Sequence, residues 1–206
     1  MNLHNLVEKY GTDKNASGYT IFYESLFKKY YDKFDNILEI GIGSIVPNIP
    51  SSFHVNLFNR PHYTPGGSLR VWRDFFVNSN VYGVDIDENC MFEEERIKTI
   101  LCDSRNKKCL DLNLNNLFFD LIIDDGLHEY DSQKDTFKNL YFRLKENGFY
   151  IIEDIDSIRN PMFKENYKDE IIKNLKNGLY YYKNNIFILQ NTVNEIKEVE
   201  SIKQFK

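Results

Sequence analysis

The chain has 206 residues with 42% hydrophobic and 15% aromatic content, enough for a sizeable core, which excludes an intrinsically disordered chain. A formal net charge of −5 argues against a nucleic-acid partner, because neutralising phosphates takes a basic surface. No run is long and apolar enough to span a membrane, and Met1-Asn2-Leu3-His4-Asn5 has no signal-peptide core, so the expectation is a single cytoplasmic domain over 1–206.

Residues 2–34 read as a helical cap around the polar loop Gly11 to Gly18, with aromatic and Leu residues from Phe22 to Tyr31 at the spacing of a core-facing helix. Asn36 to Ile40 is a short strand that ends at Gly41-Ile42-Gly43. Residues 44–65 carry four prolines (Pro47, Pro50, Pro61, Pro65) and little periodicity, the mark of a functional loop; we read it as a candidate lid. Ser68 is placed to cap a helix running through Trp72 and Phe76. Val81 to Asp85 and Ile97 to Cys102 are further strands, the second followed by Asp103. Phe118 to Ile123 is a fourth strand, and 131–146 an amphipathic helix with Phe137, Leu140 and Leu144 on one face and Asn147-Gly148 as its stop. Phe149 to Ile152 is the fifth strand, 163–176 is helical, and 179–182 with 186–189 form a hairpin about Lys183-Asn184-Asn185. Strands alternating with helices, then a terminal hairpin, predict an α/β Rossmann-like fold: a mostly parallel seven-stranded sheet with an antiparallel C-terminal hairpin. Cys90, Cys102 and Cys109 have no CxxC spacing and read as ordinary thiols in a reducing compartment.

Two features carry chemistry. The first is Glu39-x-Gly41-x-Gly43 after a strand, where glycines let the backbone approach a bound nucleoside. The dinucleotide fingerprint asks for a third glycine at the position of Val46, which speaks against NAD. An acidic residue ending the next strand suits ribose hydroxyls, and Asp85 stands there; its alternative is a turn cap. Asp103 either reaches the adenine amino group or closes a turn.

The second feature is a pair of acidic strand endings, Ile122-Ile123-Asp124-Asp125-Gly126-Leu127-His128 and Ile151-Ile152-Glu153-Asp154. Adjacent parallel strands bring Asp125, Glu153 and Asp154 to one rim, where like charges repel unless a cation intervenes. A hard divalent ion such as Mg²⁺ prefers that oxygen set. His128, with a free pKa near neutrality, is suited to take a proton from a metal-bound hydroxyl. The alternative has Asp125 and Asp131 as helix caps and His128 as a surface turn residue.

The blocks Tyr10-Gly11-Thr12-Asp13-Lys14, Leu38-Glu39-Ile40-Gly41-Ile42-Gly43, Gly67-Ser68-Leu69-Arg70-Val71-Trp72-Arg73-Asp74 with Tyr82-Gly83-Val84-Asp85-Ile86-Asp87, and Asp124-Asp125-Gly126-Leu127-His128 with Glu153-Asp154 resemble the class I S-adenosylmethionine-dependent methyltransferases. More narrowly, they are similar to the metal-dependent sugar O-methyltransferases of the macrocin and mycinamicin type. The resemblance implies Mg²⁺ on Asp125, Glu153 and Asp154, and a catalytic pair of His128 as general base with Asp125. It implies a donor site, for S-adenosylmethionine and its product S-adenosylhomocysteine, lined by Glu39, Gly41, Gly43, Asp85, Asp103 and Asp124. Thr12, Asp13, Ser68 and Arg70 lie near donor or substrate on the same reading. The implied partner is a small sugar-type acceptor, with neither nucleic acid nor membrane; a homodimer is compatible with it. The expected function is O-methylation of a sugar hydroxyl; the alternatives are N-methylation of an amino sugar and a non-catalytic nucleoside-binding protein.

Overall fold

The computed structural model describes residues 2–15, 18–49, 63–155, 168–169, 171–173, 175–183 and 185–205. Most of the expected helix 163–176, the stretch 50–62 of the expected lid with His54 and His62, and Asn184 of the hairpin lie outside them. The chain forms two compact units, Met1–Cys102 and Asp103–Lys206.

In the first unit, α1 (Leu3–Tyr10) begins under an Asn2 side chain that accepts from His4 N at 2.7 Å and ends at Gly11, φ +67°, the left-handed stop that favours glycine. Its apolar residues Leu3, Leu6 and Val7 are buried. α2 (Tyr19–Phe27) buries Tyr23, Leu26 and Phe27, as the aromatic spacing predicts. Tyr23 meets the Trp72 ring edge-on at 5.5 Å, and Phe27 meets Phe76 at 5.6 Å, geometries that suit the ring quadrupoles. β1 (Asn36–Ile40) follows, with its last four residues buried, the even burial of a strand covered on both faces.

α3 (Gly67–Phe75) is where the expected cap fails. Its N-cap is Gly66, φ +82°, with no side-chain cap bond, and Ser68 sits inside the first turn. A Cβ at Gly66 would stand 2.3 Å from the Phe92 ring, so close approach and a left-handed φ together require glycine there. β2 (Asn80–Asp85) pairs parallel with β1, Ile40 opposite Val84. β3 (Glu93–Glu94) lies antiparallel to β4 (Ile97–Leu101), and β4 runs parallel to β2. Parallel pairing brings Gly41 and Asp85 out at one edge.

In the second unit, α4 (Lys107–Leu114) is capped by Asn106, whose side chain accepts from Cys109 N at 3.1 Å; the sequence reading had no element here. β5 (Phe119–Asp124) precedes α5 (Tyr130–Leu140), which buries Gln133, Thr136, Phe137 and Leu140. The helix expected to reach 146 stops at Leu140, and Leu144 opens β6 (Leu144–Ile152). β5 and β6 run parallel with an irregularity between Phe119 and Leu121, Asp124 lying opposite Ile152. The hairpin of β7 (Asn177–Lys183) and β8 (Ile186–Glu195) has Tyr182 opposite Phe187 and Asn185 at φ +62°. β8 is also antiparallel to β6, and β9 (Lys197–Glu198) runs parallel to β7.

The described strands number nine, not seven. The two extra, β3 and β9, are two residues long, too short to show any alternation in sequence. Among the described residues no helix is long and apolar enough to cross a membrane. The expectation of three thiols is corrected: neither Cys102 nor Cys109 is a free thiol. Cys90 is the free thiol, its pKa pushed up to about 12 by burial and the nearby charges of Asp85 and Asp87.

Candidate functional site

The first unit builds a glycine turn. Gly41 and Gly43 have φ of +87° and +89°, a conformation costly for any residue with a Cβ. Gly41 N donates to Val84 O at 2.9 Å, and Ile42 N donates to Asp85 Oδ2 at 2.7 Å. The Tyr63 hydroxyl donates to Ile42 O and Gly43 O at 3.0 and 2.9 Å. Asp85 Oδ1 accepts from Asp87 N at 2.9 Å. The Asp85 carboxylate therefore shapes the turn, and each of its oxygens keeps a further lone pair for a ligand hydroxyl.

Behind the turn, Asp87 is 2% exposed and accepts from Ser44 Oγ and, at 2.9 Å, from Asn89 N. The hydrogen bond from Ser44 is the main reason its carboxyl lies below the usual range. Ser44, Tyr63 and Asp87 are thus supports of the turn that the sequence reading did not pick out; the sharp acidic pair in Val84-Asp85-Ile86-Asp87 was the available signal. Glu39 is 0% exposed, accepting from Trp72 Nε1 at 3.1 Å and facing Lys14 Nζ at 3.3 Å. Thr12 is buried and Asp13 and Ser68 are half-buried. Arg70 makes a two-pronged contact with Glu94, Nε and Nη2 to Oε1 at 3.0 and 2.7 Å, over the Phe92 ring.

The second unit holds the acidic strand ends. Because β5 and β6 are parallel, Asp125 and Asp154 emerge at the same edge, and His128 follows one turn after β5. Ligand atoms of Asp125, His128 and Asp154 lie within 4.8 Å of one another. His128 Nε2 stands 3.2 Å from Asp125 Oδ1, and Nδ1 3.8 Å from Asp154 Oδ2. Partial burial opposes the imidazolium, but the Asp125 hydrogen bond and the charges of Asp125, Asp154 and Asp124 win, raising its pKa to about 9. Asp154 has φ +50°, a left-handed backbone that Asp tolerates better than most residues but at some strain.

Glu153, expected as a third ligand, is outside this cluster; its side chain is buried. Its backbone is held on both sides: Glu153 N donates to Asp124 O at 2.9 Å, and Gln133 Nε2 donates to Glu153 O at 3.0 Å. Gln133 is a further support that the sequence reading missed, since nothing in a helix pattern tells a core glutamine from a surface one. Asp124 is 2% exposed; burial raises its pKa to about 7, against the pull of the Gly126 N–H. Asp103 is gripped by Arg105, Nε to Oδ1 at 3.0 Å and Nη2 to Oδ2 at 2.7 Å. Its loop is tied to α5 by the Ser104–Thr136 hydroxyl pair at 2.7 Å. Two carboxylates and an imidazole this close are a donor set that fits a divalent cation.

The solved structures establish the fold: the chain has the Rossmann-like α/β fold of methyltransferases. It superposes on "MycE Methyltransferase from the Mycinamycin Biosynthetic Pathway in Complex with Mg, SAH, and Mycinamycin VI" with a TM-score of 0.75 and 26% identity, over 93% of this chain and 55% of that one. Within the class it resembles sugar O-methyltransferases. It is 33% identical to the demethylmacrocin O-methyltransferase of Streptomyces fradiae over 164 residues, 78% of this chain and 38% of the relative. It is 31% identical to the 8-demethyl-8-alpha-L-rhamnosyl tetracenomycin-C 2'-O-methyltransferase of Streptomyces olivaceus over 187 residues, 87% of this chain and 46% of the relative. The chain thus spans less than half the length of either curated relative. No protein-family model matches it.

Proposed function

We propose that this chain transfers a methyl group from S-adenosylmethionine to a hydroxyl of a sugar-bearing small molecule, with a divalent cation, Mg²⁺ by preference, at the acidic strand ends. The observation that carries the reading is the Asp125–His128–Asp154 cluster, with His128 Nε2 3.2 Å from Asp125 Oδ1. The names of the relatives, and the Mg, SAH and Mycinamycin VI of the MycE complex, support the same chemistry.

The donor would lie on the Gly41–Gly43 turn, its ribose hydroxyls on Asp85, with Thr12, Asp13 and Ser68 around it. When bound, the sulfonium donor supplies the methyl group and the cation supplies Lewis-acid polarisation of the acceptor oxygen. Asp125 and Asp154 would hold the cation, and the Glu153 backbone, held by Asp124 and Gln133, sets the strand end that carries Asp154. A cation's charge beside the ring would favour the neutral imidazole, and His128 would then accept the hydroxyl proton at a ring nitrogen, while Asp125 fixes the imidazole orientation. An amine acceptor would leave this base with less to do, so O-methylation is favoured over N-methylation.

The test is a labelled-methyl transfer screen over glycosylated small molecules, nucleotide sugars and amines, with and without Mg²⁺. Transfer to a sugar hydroxyl that EDTA suppresses is the expected result. Transfer confined to amines and indifferent to EDTA would refute the reading.

A further inference from the structure

Lysine is almost never fully buried unless paired, and Lys14 is 2% exposed. Its Nζ stands 3.3 Å from Glu39 Oε1, a carboxylate that is 0% exposed. The ammonium also lies 5.7 Å from the centroid of the Trp72 ring, and that indole donates to the other Glu39 oxygen at 3.1 Å. The loop carrying Lys14 is fastened on both sides: Lys14 N donates to Thr12 Oγ1 at 3.3 Å, and Lys14 O accepts from Tyr19 N at 3.0 Å. One buried cation therefore joins three segments: the loop after α1, the end of β1, and the middle of α3. Glu39 lies two residues before Gly41, where the left-handed turn begins. A buried ion pair is a poor device for stability, since well-packed apolar residues do as well or better in its place. Its value here is geometric, at the root of the turn.

We infer that Lys14 is a positioning residue for the methyl-donor turn. Its charge neutralises Glu39 in the core and fixes the end of β1. The Gly41–Gly43 turn and the Thr12–Asp13 loop are thereby set to receive the nucleoside. The inference rests on the donor-site reading above.

Isothermal titration of S-adenosylhomocysteine into the full chain, with steady-state kinetics alongside, tests it. Lys14→Met together with Glu39→Gln removes both charges and leaves no buried ion unpaired. This double variant is expected to fold, with thermal unfolding near that of the wild type. It should bind S-adenosylhomocysteine roughly tenfold to a hundredfold more weakly than the wild type and clearly more weakly than Glu39→Gln alone, with KM for the donor raised. Lys14→Arg keeps the cation and should keep most of the affinity. Lys14→Met alone strands the Glu39 charge and should also lose stability; if it does not fold, the double variant carries the test. Wild-type affinity in the folded double variant, a fall in kcat with KM unchanged, or Lys14→Arg binding no better than the double variant would each overturn the inference. So would a parallel loss of Mn²⁺ binding at Asp125 and Asp154, which would mark general unfolding. If the wild type itself does not bind S-adenosylhomocysteine, it is the donor-site reading that fails.

Discussion

His128 shows how little a single residue type says without its neighbours. A histidine in a polar turn is ordinary; one with carboxylate oxygens 3.2 and 3.8 Å from its two ring nitrogens holds its proton up to a pKa of about 9. In the cation-free protein that raised pKa contributes stability below the unfolded value near 6.5, and the contribution is lost as pH rises through 9. His128→Ala is expected to lower the methyl-transfer rate by roughly 10²–10⁴ if the imidazole is the general base. Single-turnover rates at saturating donor check this, and a near-normal rate would pass the role to Asp125 or to solvent. The acidic residues and His128 were legible because a buried strand has no reason to end in them. Glu153 was legible as an oddity, but its place outside the cluster was not, because side-chain direction past the end of a strand is not written in the sequence pattern.

Elements were legible where their pattern was local. The stretch from Asn36 through the glycines, the Asp85 ending and the terminal hairpin all fell where alternation and turn residues put them. α5 did not end where expected, because Leu144 continues the helical spacing of Phe137 and Leu140 while serving as the first residue of β6. Next to it, the Arg143 guanidinium donates to Asn115 O at 2.6 Å and to Asp111 Oδ1 at 2.8 Å, a tertiary tether that periodicity does not reveal. The join of α1 to α3 is likewise tertiary: Asp74 accepts from Tyr10 Oη at 2.6 Å, Lys9 Nζ at 3.1 Å and Arg73 Nε at 2.8 Å. Partial burial works against the Asp74 charge, yet these three donors hold its pKa down to about 2. A lowered folded pKa gives stability that is complete above the unfolded value and is lost as pH falls through 2. Asp74→Asn should cost about 1.5–3 kcal/mol at pH 7, and urea midpoints should show the gap to wild type narrowing toward pH 2. A gap that stays constant from pH 7 to pH 2 would count against the ion-pair account.

For the whole molecule, the relevant expectation is linkage. If the first unit holds the donor, S-adenosylhomocysteine at a hundred times its Kd adds about 2.7 kcal/mol, or roughly 5–10 °C in Tm for a chain of this size. Differential scanning fluorimetry reads this directly, and no shift with S-adenosylhomocysteine would remove the donor site from the first unit. The sequence by itself determined the class of fold, the glycine turn and the acidic strand ends, because each is written in residues a few positions apart and follows from backbone sterics and burial. The tertiary structure alone decided that Lys14 is buried against Glu39, that Asp85 also holds Ile42 N of the glycine turn, and that Asp125, His128 and Asp154 cluster at the strand ends. Those contacts join residues distant in sequence or depend on side-chain direction. Folding fixes them by the need to pair every buried charge and polar group, which a one-dimensional pattern does not encode.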